Sequence, residues 1–488
     1  MVLSGKKLAE YRTWHKLNME VLQRTANRGS ISTASAYEVN NSVSLTTAGV
    51  NSEFFNRAYS SASNRQTWTY STWLKLSKNG VNNYFFDAWK NSNTFFILGV
   101  SDAGRLVFYD IVAGTDYGKQ TDRLLRDTSA WYHVVFVSDT TNGTAADRFR
   151  VYINGVRETD FNTDYGDPPQ NYNGSVNDAI EHRIGYRTDG STSFNGYLAE
   201  TILVDGTALD PDSFGEFDSK GIWRPIDVTE LTVGTNGFLL KYENAAGMGV
   251  ATSGTGFSVQ NLNQHDQATD VPSNNFCTFN PLLNNAGAAN YLTQTRGNIY
   301  AFSESNAYKI AVGTMGVTSG KWYWEITMTT VGAIVFAGIT YPSIWDTDYT
   351  LGGTIFVDDN NDPVRYNASG RSSFGSAFGN GDVIAFALDM DASTPTMTVY
   401  KNNSSLGNLM SGLSIGGTGT AYLPPKEEGY FPKVGSYGTT TFEANFGGST
   451  NVYIDNPETD ANGYGRFKYE PPSGYYALCT KNLAEFGG

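Results

Sequence analysis

The sequence predicts an all-β protein in which a short N-terminal α-helix precedes two tandem antiparallel β-sandwiches. Three observations favour this fold class. The 488 residues include 52 Gly and 30 Tyr, and 14% are aromatic, which suits packed sheets joined by many tight turns. From about residue 37 onward the hydrophobic pattern has the period of two that strands require. The dipeptide Asn154-Gly155 between two such runs is a strong signal for a type I′ hairpin.

The predicted strands fall into two groups along the chain. In the first group, residues 67–75 alternate, and residues 131–137 form a near-continuous apolar run, as expected for a strand with both faces covered. The flanks of the predicted hairpin, residues 148–159, and the long run 194–204 complete this group. The second group consists of four strand-like runs: 319–327, 335–339, 381–389 and 397–401. Asn402-Asn403 is a predicted turn, because Asn tolerates positive φ better than most residues.

These patterns predict four segments. Residues 1–30 form an amphipathic docking helix, and residues 31–220 form the first sandwich. Residues 221–290, rich in Pro, Gly, Asn and Ser, are transitional, and residues 291–488 hold the second sandwich and a tail. The helix is predicted from apolar residues that recur every three or four positions: Leu8, Tyr11, Trp14, Leu17 and Val21. Because an isolated helix this short is marginal, it needs an apolar partner, either its own domain or another subunit of an assembly.

Composition also excludes several classes of function. A net charge of -14 repels phosphate backbones, so a nucleic-acid partner is not expected. No run approaches the length of a membrane span, and the N-terminus lacks the apolar core of a signal peptide, so we expect synthesis in a cytoplasm and no membrane contact. Cys277 and Cys479 lie outside any CxxC or Cys/His cluster, which favours two buried thiols over a disulfide or a zinc site.

The first half resembles the laminin-G-like, or concanavalin-like, jelly roll over about residues 37–220. The resemblance rests on four stretches: Trp68 to Leu76, Trp131 to Val137, Val151-Tyr152-Ile153-Asn154-Gly155, and Phe194 to Leu209. It implies a jelly roll in which the Trp131-Tyr132-His133 run and the hairpin form neighbouring strands. His133 lies inside a strand, so a packed, hydrogen-bonded histidine is favoured over a ligand.

The second half resembles the SPRY domain over about residues 290–480. The matching stretches are Ser319 to Glu325, Gly381 to Ile384, Tyr400-Lys401-Asn402, Tyr430 to Val434, and Asn445-Phe446-Gly447. Asn403 departs from the family, which usually has Gly there, and this leaves the turn type open. The resemblance therefore implies a second concanavalin-like sandwich.

Two further stretches, residues 37–69 and 272–282, resemble proteins common in marine bacteriophages. This resemblance implies a virion structural protein, either a tail fibre or a head fibre or decoration protein. It implies localisation in the virion, other virion proteins as partners of the N-terminal helix, and a host-surface glycan or protein as receptor. Since fibres are usually trimers, a homotrimer is expected. The alternatives are a secreted or surface carbohydrate-binding protein of a bacterium, or a polysaccharide-degrading enzyme.

No catalytic constellation is found. Concanavalin-like glycosidases need two carboxylates about 5 Å apart on one strand face. The nearest match is Glu216-Phe217-Asp218, but residue 220 is Lys and the segment has the composition of a loop. Glu427 and Glu428 are adjacent and would point to opposite faces of an extended chain. No nucleophile motif or phosphate loop occurs either, so the sequence predicts binding rather than catalysis.

Two loops are candidate binding sites. One, which follows a predicted strand, combines aromatic rings for stacking on sugars with carboxylates for their hydroxyls: Tyr341, Trp345, Asp346, Asp348 and Tyr349. In the SPRY family, loops near this position contribute to the partner-binding surface. The other loop has a composition that suits Ca²⁺ but lacks the Gly and distal Glu of an EF-hand: Asp358, Asp359 and Asp362. Weaker calcium candidates in the first sandwich are Asp110, Asp160 and Asp164. The alternative for both loops is a solvated loop that packs against neighbours in an oligomer.

Overall fold

The computed structural model describes residues 37–46, 52–286, 291–342, 354–357, 363–367, 370–376, 378–415, 422–450 and 454–487. The chain divides into two compact units between Ser273 and Asn274. The predicted N-terminal helix lies outside the described residues. The prediction of an all-β protein built from antiparallel sheets is confirmed in both units.

The described part of the first unit contains nineteen strands: β1 (Ser42–Leu45), β2 (Phe54–Ala58), β3 (Thr67–Leu76), β4 (Asn83–Asn91), β5 (Thr94–Val100), β6 (Arg105–Val112), β7 (Thr115–Leu124), β8 (Tyr132–Asp139), β9 (Phe149–Ile153), β10 (Val156–Arg157), β11 (Phe161–Asp164), β12 (Glu181–Ile184), β13 (Gly196–Asp205), β14 (Gly215–Phe217), β15 (Trp223–Pro225), β16 (Phe238–Leu240), β17 (Ser253–Gly254), β18 (Ser258–Gln260) and β19 (Gln267–Ala268). Short 3₁₀ helices lie at Ala145–Asp147, Pro211–Ser213 and Gln264–Asp266.

These strands form two large antiparallel sheets. Sheet A has the order β10-β9-β8-β3-β13-β1-β19, with β16 beside β13 and β17 beside β16. Sheet B has the order β11-β7-β6-β5-β4-β12-β2-β18, and β14 pairs with β15 separately. Alternate residues of both sheets form one core, in which the ring of Trp68 on β3 packs against Phe96 on β5 and Phe136 on β8. Two sheets that share an aromatic core in this way form a β-sandwich.

The predicted hairpin is present at residues 149–157. Asn154 and Gly155 have φ of 50° and 76°, so both central residues adopt the left-handed conformation of a type I′ turn. In the second unit Asn402 and Asn403 have φ of 47° and 68°. The turn therefore has the same left-handed geometry although Asn403 stands where the SPRY family usually has Gly.

The other face of sheet A carries a second apolar layer made partly from the predicted transitional segment. That segment, residues 221–290, is divided between the two units, and its first part supplies strands to sheets A and B. In this layer the carboxylate of Asp270 accepts hydrogen bonds from Lys75 Nζ at 2.6 Å and from Trp131 Nε1 at 3.0 Å. The side chains of Lys75 and Asp270 are each 1% exposed. Residues 221–273 of this segment therefore belong to the fold of the first unit.

The described part of the second unit contains sixteen strands: β20 (Thr293–Thr295), β21 (Tyr300–Ser303), β22 (Tyr308–Val312), β23 (Lys321–Thr330), β24 (Ile334–Thr340), β25 (Thr354–Val357), β26 (Pro363–Asn367), β27 (Gly370–Ser373), β28 (Val383–Asp389), β29 (Thr396–Lys401), β30 (Ser404–Asn408), β31 (Ser414–Ile415), β32 (Tyr422–Leu423), β33 (Phe431–Tyr437), β34 (Thr440–Asn445) and β35 (Tyr476–Ala477). Helix α1 (Thr480–Phe486) follows, and 3₁₀ helices lie at Pro281–Ala286 and Lys426–Glu428.

The second unit is also a sandwich. Sheet C has the order β20-β21-β34-β23-β28-β29-β30, with β35 parallel to β23, and sheet D has the order β22-β33-β24-β25-β26-β27. A short parallel pair, β31-β32, lies apart. On the far face of sheet C, the carboxylate of Glu325 accepts hydrogen bonds from the backbone N–H groups of Lys468 and Tyr469. This carboxylate fixes the segment that runs toward α1 against the sheet.

Both cysteines are buried thiols, as predicted, and no disulfide joins them. Phe276 forms a bridge with Cys479, and these two residues lie in the cluster outside sheet C. Cys277 belongs to the core of the sandwich. Since successive extended residues point to opposite faces, the two thiols lie on opposite sides of the same backbone pairing.

None of the described helices has the length and hydrophobicity that a membrane-spanning helix requires.

Candidate functional site

The loops singled out in the sequence fall almost entirely outside the described residues. Tyr341 directly follows β24 and is 2% exposed. The remaining predicted site residues lie outside the described residues. They are the other members of this loop (Trp345, Asp346, Asp348 and Tyr349), the aspartates of the second loop (Asp358, Asp359 and Asp362) and the residues of the docking helix (Leu8, Tyr11, Trp14, Leu17 and Val21). The binding, metal and docking roles of these residues therefore remain predictions.

Two of the three weaker calcium candidates of the first unit, Asp110 and Asp164, have protein partners. Asp110 is fully buried and accepts a 3.1 Å hydrogen bond from the backbone N–H of Ser175, and burial raises the pKa of its carboxyl to about 7. Asp164 lies 3.3 Å from Lys119 Nζ. Among the described residues, no group of three or more His, Cys, Asp or Glu side chains is placed to hold a metal ion.

His133 is the packed, hydrogen-bonded histidine that the sequence predicts. Its ring stacks on Trp73 with centroids 4.5 Å apart. Trp223 Nε1 donates to Nδ1 at 3.0 Å, and Ser71 Oγ lies 2.8 Å from Nε2. Since Nδ1 accepts, the ring is neutral and Nε2 donates to Ser71. Burial lowers the pKa of His133 to about 3.

The glycosidase-like stretch has a structural role. Residues 215–217 form β14 rather than the predicted loop, and β14 pairs with β15. Asp218, just beyond it, accepts a 2.7 Å hydrogen bond from Arg224 Nε. Glu427 and Glu428 lie in a 3₁₀ helix and not in an extended chain. Neither pair forms two carboxylates facing each other on a strand.

The face of sheet B that points away from the core is the best-formed candidate binding surface. In β4, β5 and β6, residues such as Phe86, Leu98 and Phe108 enter the core. Their neighbours in the sequence therefore point to the opposite face. That outer face carries an unusual number of aromatic and polar side chains: Tyr84, Trp89, Phe95, Tyr109, Gln120, Tyr165, Arg183 and Arg187. Tyr84, Trp89, Tyr109 and Gln120 are partly exposed, and Tyr165 is 53% exposed.

Two tyrosine rings lie over glycines of the neighbouring strands. Gly99 on β5 is paired with Tyr84 on β4, and a Cβ atom added at Gly99 would overlap the ring of Tyr84. Tyr109 on β6 covers Gly118 on β7 in the same way. A glycine inside a strand commonly marks such a close approach. Because both rings rest on the backbone and both side chains are partly exposed, they provide two aromatic platforms on the surface of the sheet, and the Tyr165 ring lies beside the second, with centroids 5.6 Å apart.

Polar groups surround these rings. Gln120 Nε2 donates to the hydroxyl of Tyr109 at 2.6 Å, which fixes the ring. Toward the other edge of the sheet, Asn56 Nδ2 donates to Glu181 at 3.2 Å, and Arg183 Nε donates to the same carboxylate oxygen at 2.8 Å. Amides, hydroxyls and a guanidinium beside aromatic rings are the groups that bind a ligand with many hydroxyls and apolar ring faces.

A third aromatic group lies beside the tyrosines. Trp89 stacks on Phe95 with centroids 4.9 Å apart, and the guanidinium of Arg187 lies 5.1 Å from the Trp89 centroid. The loop that carries Arg187 is held by Asp87, which accepts 3.0 Å hydrogen bonds from the backbone N–H and hydroxyl of Thr188. Burial raises the pKa of Asp87 to about 7. The position of Arg187 is thus fixed from within the sheet.

This surface was not predicted from the sequence. The strands were predicted only in part, since residues 83–124 were not assigned. A signal was present, because Gly99 and Gly118 each interrupt a run of strand-forming residues. Which tyrosine covers which glycine depends on strand pairing, which the local sequence does not specify.

The comparisons with known proteins agree with the fold of the first unit. A laminin-G family model, described as the concanavalin A-like lectin/glucanases superfamily, matches residues 51–212. The first unit therefore contains a concanavalin-like domain. A search of curated proteins finds no match to this chain.

Among solved structures, this chain is similar to domains LG4-5 of the mouse laminin alpha1 chain, with 10% identity over 85% of this chain and 91% of that chain, at a TM-score of 0.30. It is similar to the heptameric SAP-like pentraxin from Limulus polyphemus, with 18% identity over 36% of this chain and 80% of that chain, at a TM-score of 0.27. It is also similar to the SPRY domain of human HERC1, with 16% identity over 32% of this chain and 90% of that chain, at a TM-score of 0.24.

Proposed function

We propose that this chain is a glycan-binding structural protein of a phage virion, a tail fibre or a head fibre or decoration protein, and that it binds glycans on the outer face of sheet B. The observation that carries the glycan-binding part is the pair of partly exposed rings, Tyr84 and Tyr109, that rest on Gly99 and Gly118. The match of residues 51–212 to a lectin and glucanase superfamily supports it. The resemblance of residues 37–69 and 272–282 to marine phage proteins supports the virion part.

The rings are expected to act as anchors because they are held before any ligand arrives. Gly99 and Gly118 let each ring lie against the backbone, and Gln120 holds the Tyr109 hydroxyl. A side chain that is already ordered loses little conformational entropy on binding. A small number of such aromatic anchors commonly supplies most of the binding free energy.

Replacing both tyrosines with alanine, Tyr84→Ala with Tyr109→Ala, is expected to weaken glycan binding about a hundredfold, since each anchor contributes about 1–2 kcal/mol. Binding is measured on a glycan array, and the hit is then titrated by calorimetry. Circular dichroism shows whether the variant keeps its fold.

A matched control is available on other surfaces. Phe217, 52% exposed, and Tyr308, 36% exposed, are exposed aromatic residues outside the outer face of sheet B. Phe217→Ala with Tyr308→Ala removes comparable aromatic surface and is expected to leave binding unchanged. If this control loses binding and the sheet B variant keeps it, the proposed site is wrong.

The virion part of the proposal makes a separate prediction for residues 1–30. Deleting this basic amphipathic segment is expected to abolish incorporation into particles while the remainder stays folded, because the segment is proposed to dock on other virion proteins. Immunogold labelling of particles assembled with the truncated chain measures this. Normal incorporation of the truncated chain would exclude the docking role.

Several copies on one particle would strengthen weak binding at each face, because linked sites raise the effective concentration of ligand. A homotrimer is the expected assembly, and mass photometry of the purified chain reports it. The alternative, a secreted or surface carbohydrate-binding protein of a bacterium, predicts the same glycan binding but no labelling of virions. We propose binding without cleavage, so incubation with the bound polysaccharide is expected to release no reducing sugar.

A further inference from the structure

The outer face of sheet B also indicates what kind of glycan it accepts. Resting on the proposed glycan-binding function, we infer that this face takes an uncharged, extended glycan chain that crosses strands β5 to β7. A terminal monosaccharide is expected to bind more weakly than such a chain, and an acidic polysaccharide is the ligand class that this face disfavours. Two independent observations lead there: the spacing of the ring platforms and the pairing of the charges around them.

The spacing follows from the strand register. Gly99 on β5 pairs with Val107 on β6, and Val107 pairs with Gln120 on β7. Gly118, beneath the second ring, lies two residues from Gln120 along β7. The two covered glycines are therefore two strand spacings apart across the sheet and two residues apart along it, a separation of about 12 Å.

A separation of that size exceeds the width of one sugar ring. A single monosaccharide can stack on Tyr84 or on Tyr109, but it cannot contact both. A chain of several sugars can contact both at once, because Val107 between the rings is buried and does not project into its path. A chain that is already bound at one ring makes the second contact without a further loss of translational freedom, so this contact adds to affinity. Affinity should therefore increase with chain length until both rings are covered.

The charges favour an uncharged ligand. The arginines on the described part of this face already have carboxylate partners. Arg183 Nε lies 2.8 Å from Glu181, Arg187 Nε lies 3.2 Å from Asp189, and Arg105 NH1 lies 3.2 Å from Asp122. An acidic glycan would have to displace these carboxylates, and the chain carries a net charge of -14 that repels a polyanion. The uncharged hydroxyls of a sugar can instead form hydrogen bonds with the solvent-facing atoms of these ion pairs.

The test uses the full chain and two sets of probes. The first set compares uncharged polysaccharides (laminarin, xyloglucan, galactomannan and dextran) with acidic ones (alginate, carrageenan and heparin) at low and high salt. The second is a ladder of oligosaccharides, from monosaccharide to hexasaccharide, prepared from the polysaccharide that binds most tightly. Every oligosaccharide of this ladder is titrated against the wild type, Tyr109→Ala and the control Phe217→Ala.

The expected result is binding of an uncharged polysaccharide that changes little with salt. Along the ladder, affinity is expected to rise at least about tenfold between the monosaccharide and the longer chains, because the second ring adds a contact of about 1.4 kcal/mol. Tyr109→Ala is expected to remove this rise and to leave binding of the shortest ligands, which need only Tyr84, within a factor of about two. Phe217→Ala is expected to reproduce the wild-type ladder.

The outcomes separate this inference from the proposed function. Tighter binding of an acidic polysaccharide that weakens with salt would overturn the inference on charge. A monosaccharide that binds as tightly as the hexasaccharide would overturn the inference on chain length. In both cases glycan binding itself would stand, provided that the double tyrosine variant abolishes it. If no polysaccharide binds, or the double variant binds like the wild type, the proposed function of this face fails, and the inference with it.

Discussion

Replacing Lys75 with methionine is expected to lower the free energy of unfolding of the first unit by about 3–5 kcal/mol, since the substitution leaves a buried carboxylate without its cation. Lys75 Nζ lies 2.6 Å from Asp270, and both side chains are 1% exposed. Trp131 still donates to Asp270 in the variant, but a neutral donor does not replace the cation that balances a buried charge. Native-state hydrogen exchange of the β3 amides measures the loss within this unit.

Lys119→Met is the matched control. Lys119 Nζ lies 2.8 Å from Asp167 and 3.3 Å from Asp164, whose side chains are 20% and 47% exposed. Because Asp164 is widely exposed and Asp167 reaches solvent in part, the loss is expected to be smaller than for Lys75→Met, about 1 kcal/mol. Adding Asp270→Asn to Lys75→Met removes the unbalanced charge and is expected to recover part of the stability. A Lys75→Met variant as stable as Lys119→Met would show that the outer layer of sheet A tolerates an unpaired Asp270.

Acidification is expected to destabilise the first unit through His133. Burial lowers the pKa of His133 to about 3 in the folded chain, and the ordinary value is 6.5. Between these two values the unfolded chain binds more protons than the folded chain. Stability from this group is therefore fully present above about pH 6.5 and declines as pH falls, by about 1.4 kcal/mol per pH unit at most. At pH 4 the loss from His133 alone reaches about 3 kcal/mol.

His133→Gln isolates this contribution, because Gln keeps one hydrogen-bond donor and one acceptor but does not titrate. Free energies of unfolding are measured by urea titration at several pH values for both proteins. The wild type is expected to lose stability more steeply below pH 6.5 than His133→Gln does. His182, whose pKa burial also lowers to about 3, is present in both proteins and cancels in the comparison. If the free energies of unfolding of the two proteins depend on pH in the same way, His133 is not kept neutral by its burial between Trp73 and Trp223.

The sequence predicted those parts of the fold that depend on local pattern. Asn154-Gly155 and Asn402-Asn403 both form left-handed turns, because Asn and Gly tolerate positive φ better than other residues. His133 is buried and neutral, as expected for a histidine inside a covered strand. The two thiols stay apart because adjacent residues of an extended chain alternate between faces.

The parts that escaped prediction depend on contacts distant in sequence. Residues 221–290 were predicted to be transitional from their Pro, Gly, Asn and Ser content, and strands there such as β16, with three residues, are too short to show a period of two. Strand β16 forms because sheet A offers it a long neighbour, β13. The Tyr84 and Tyr109 platforms were missed because the register that places each ring over a glycine is set by strand pairing.

The most direct test of glycan binding on sheet B is a crystal structure of the full chain with a tetrasaccharide of the polysaccharide it binds. Sugar density over the rings of Tyr84 and Tyr109, with the chain crossing β5 to β7, is the predicted result. Density confined to another surface, such as the loop that follows Tyr341, with the sheet B face empty, would contradict it.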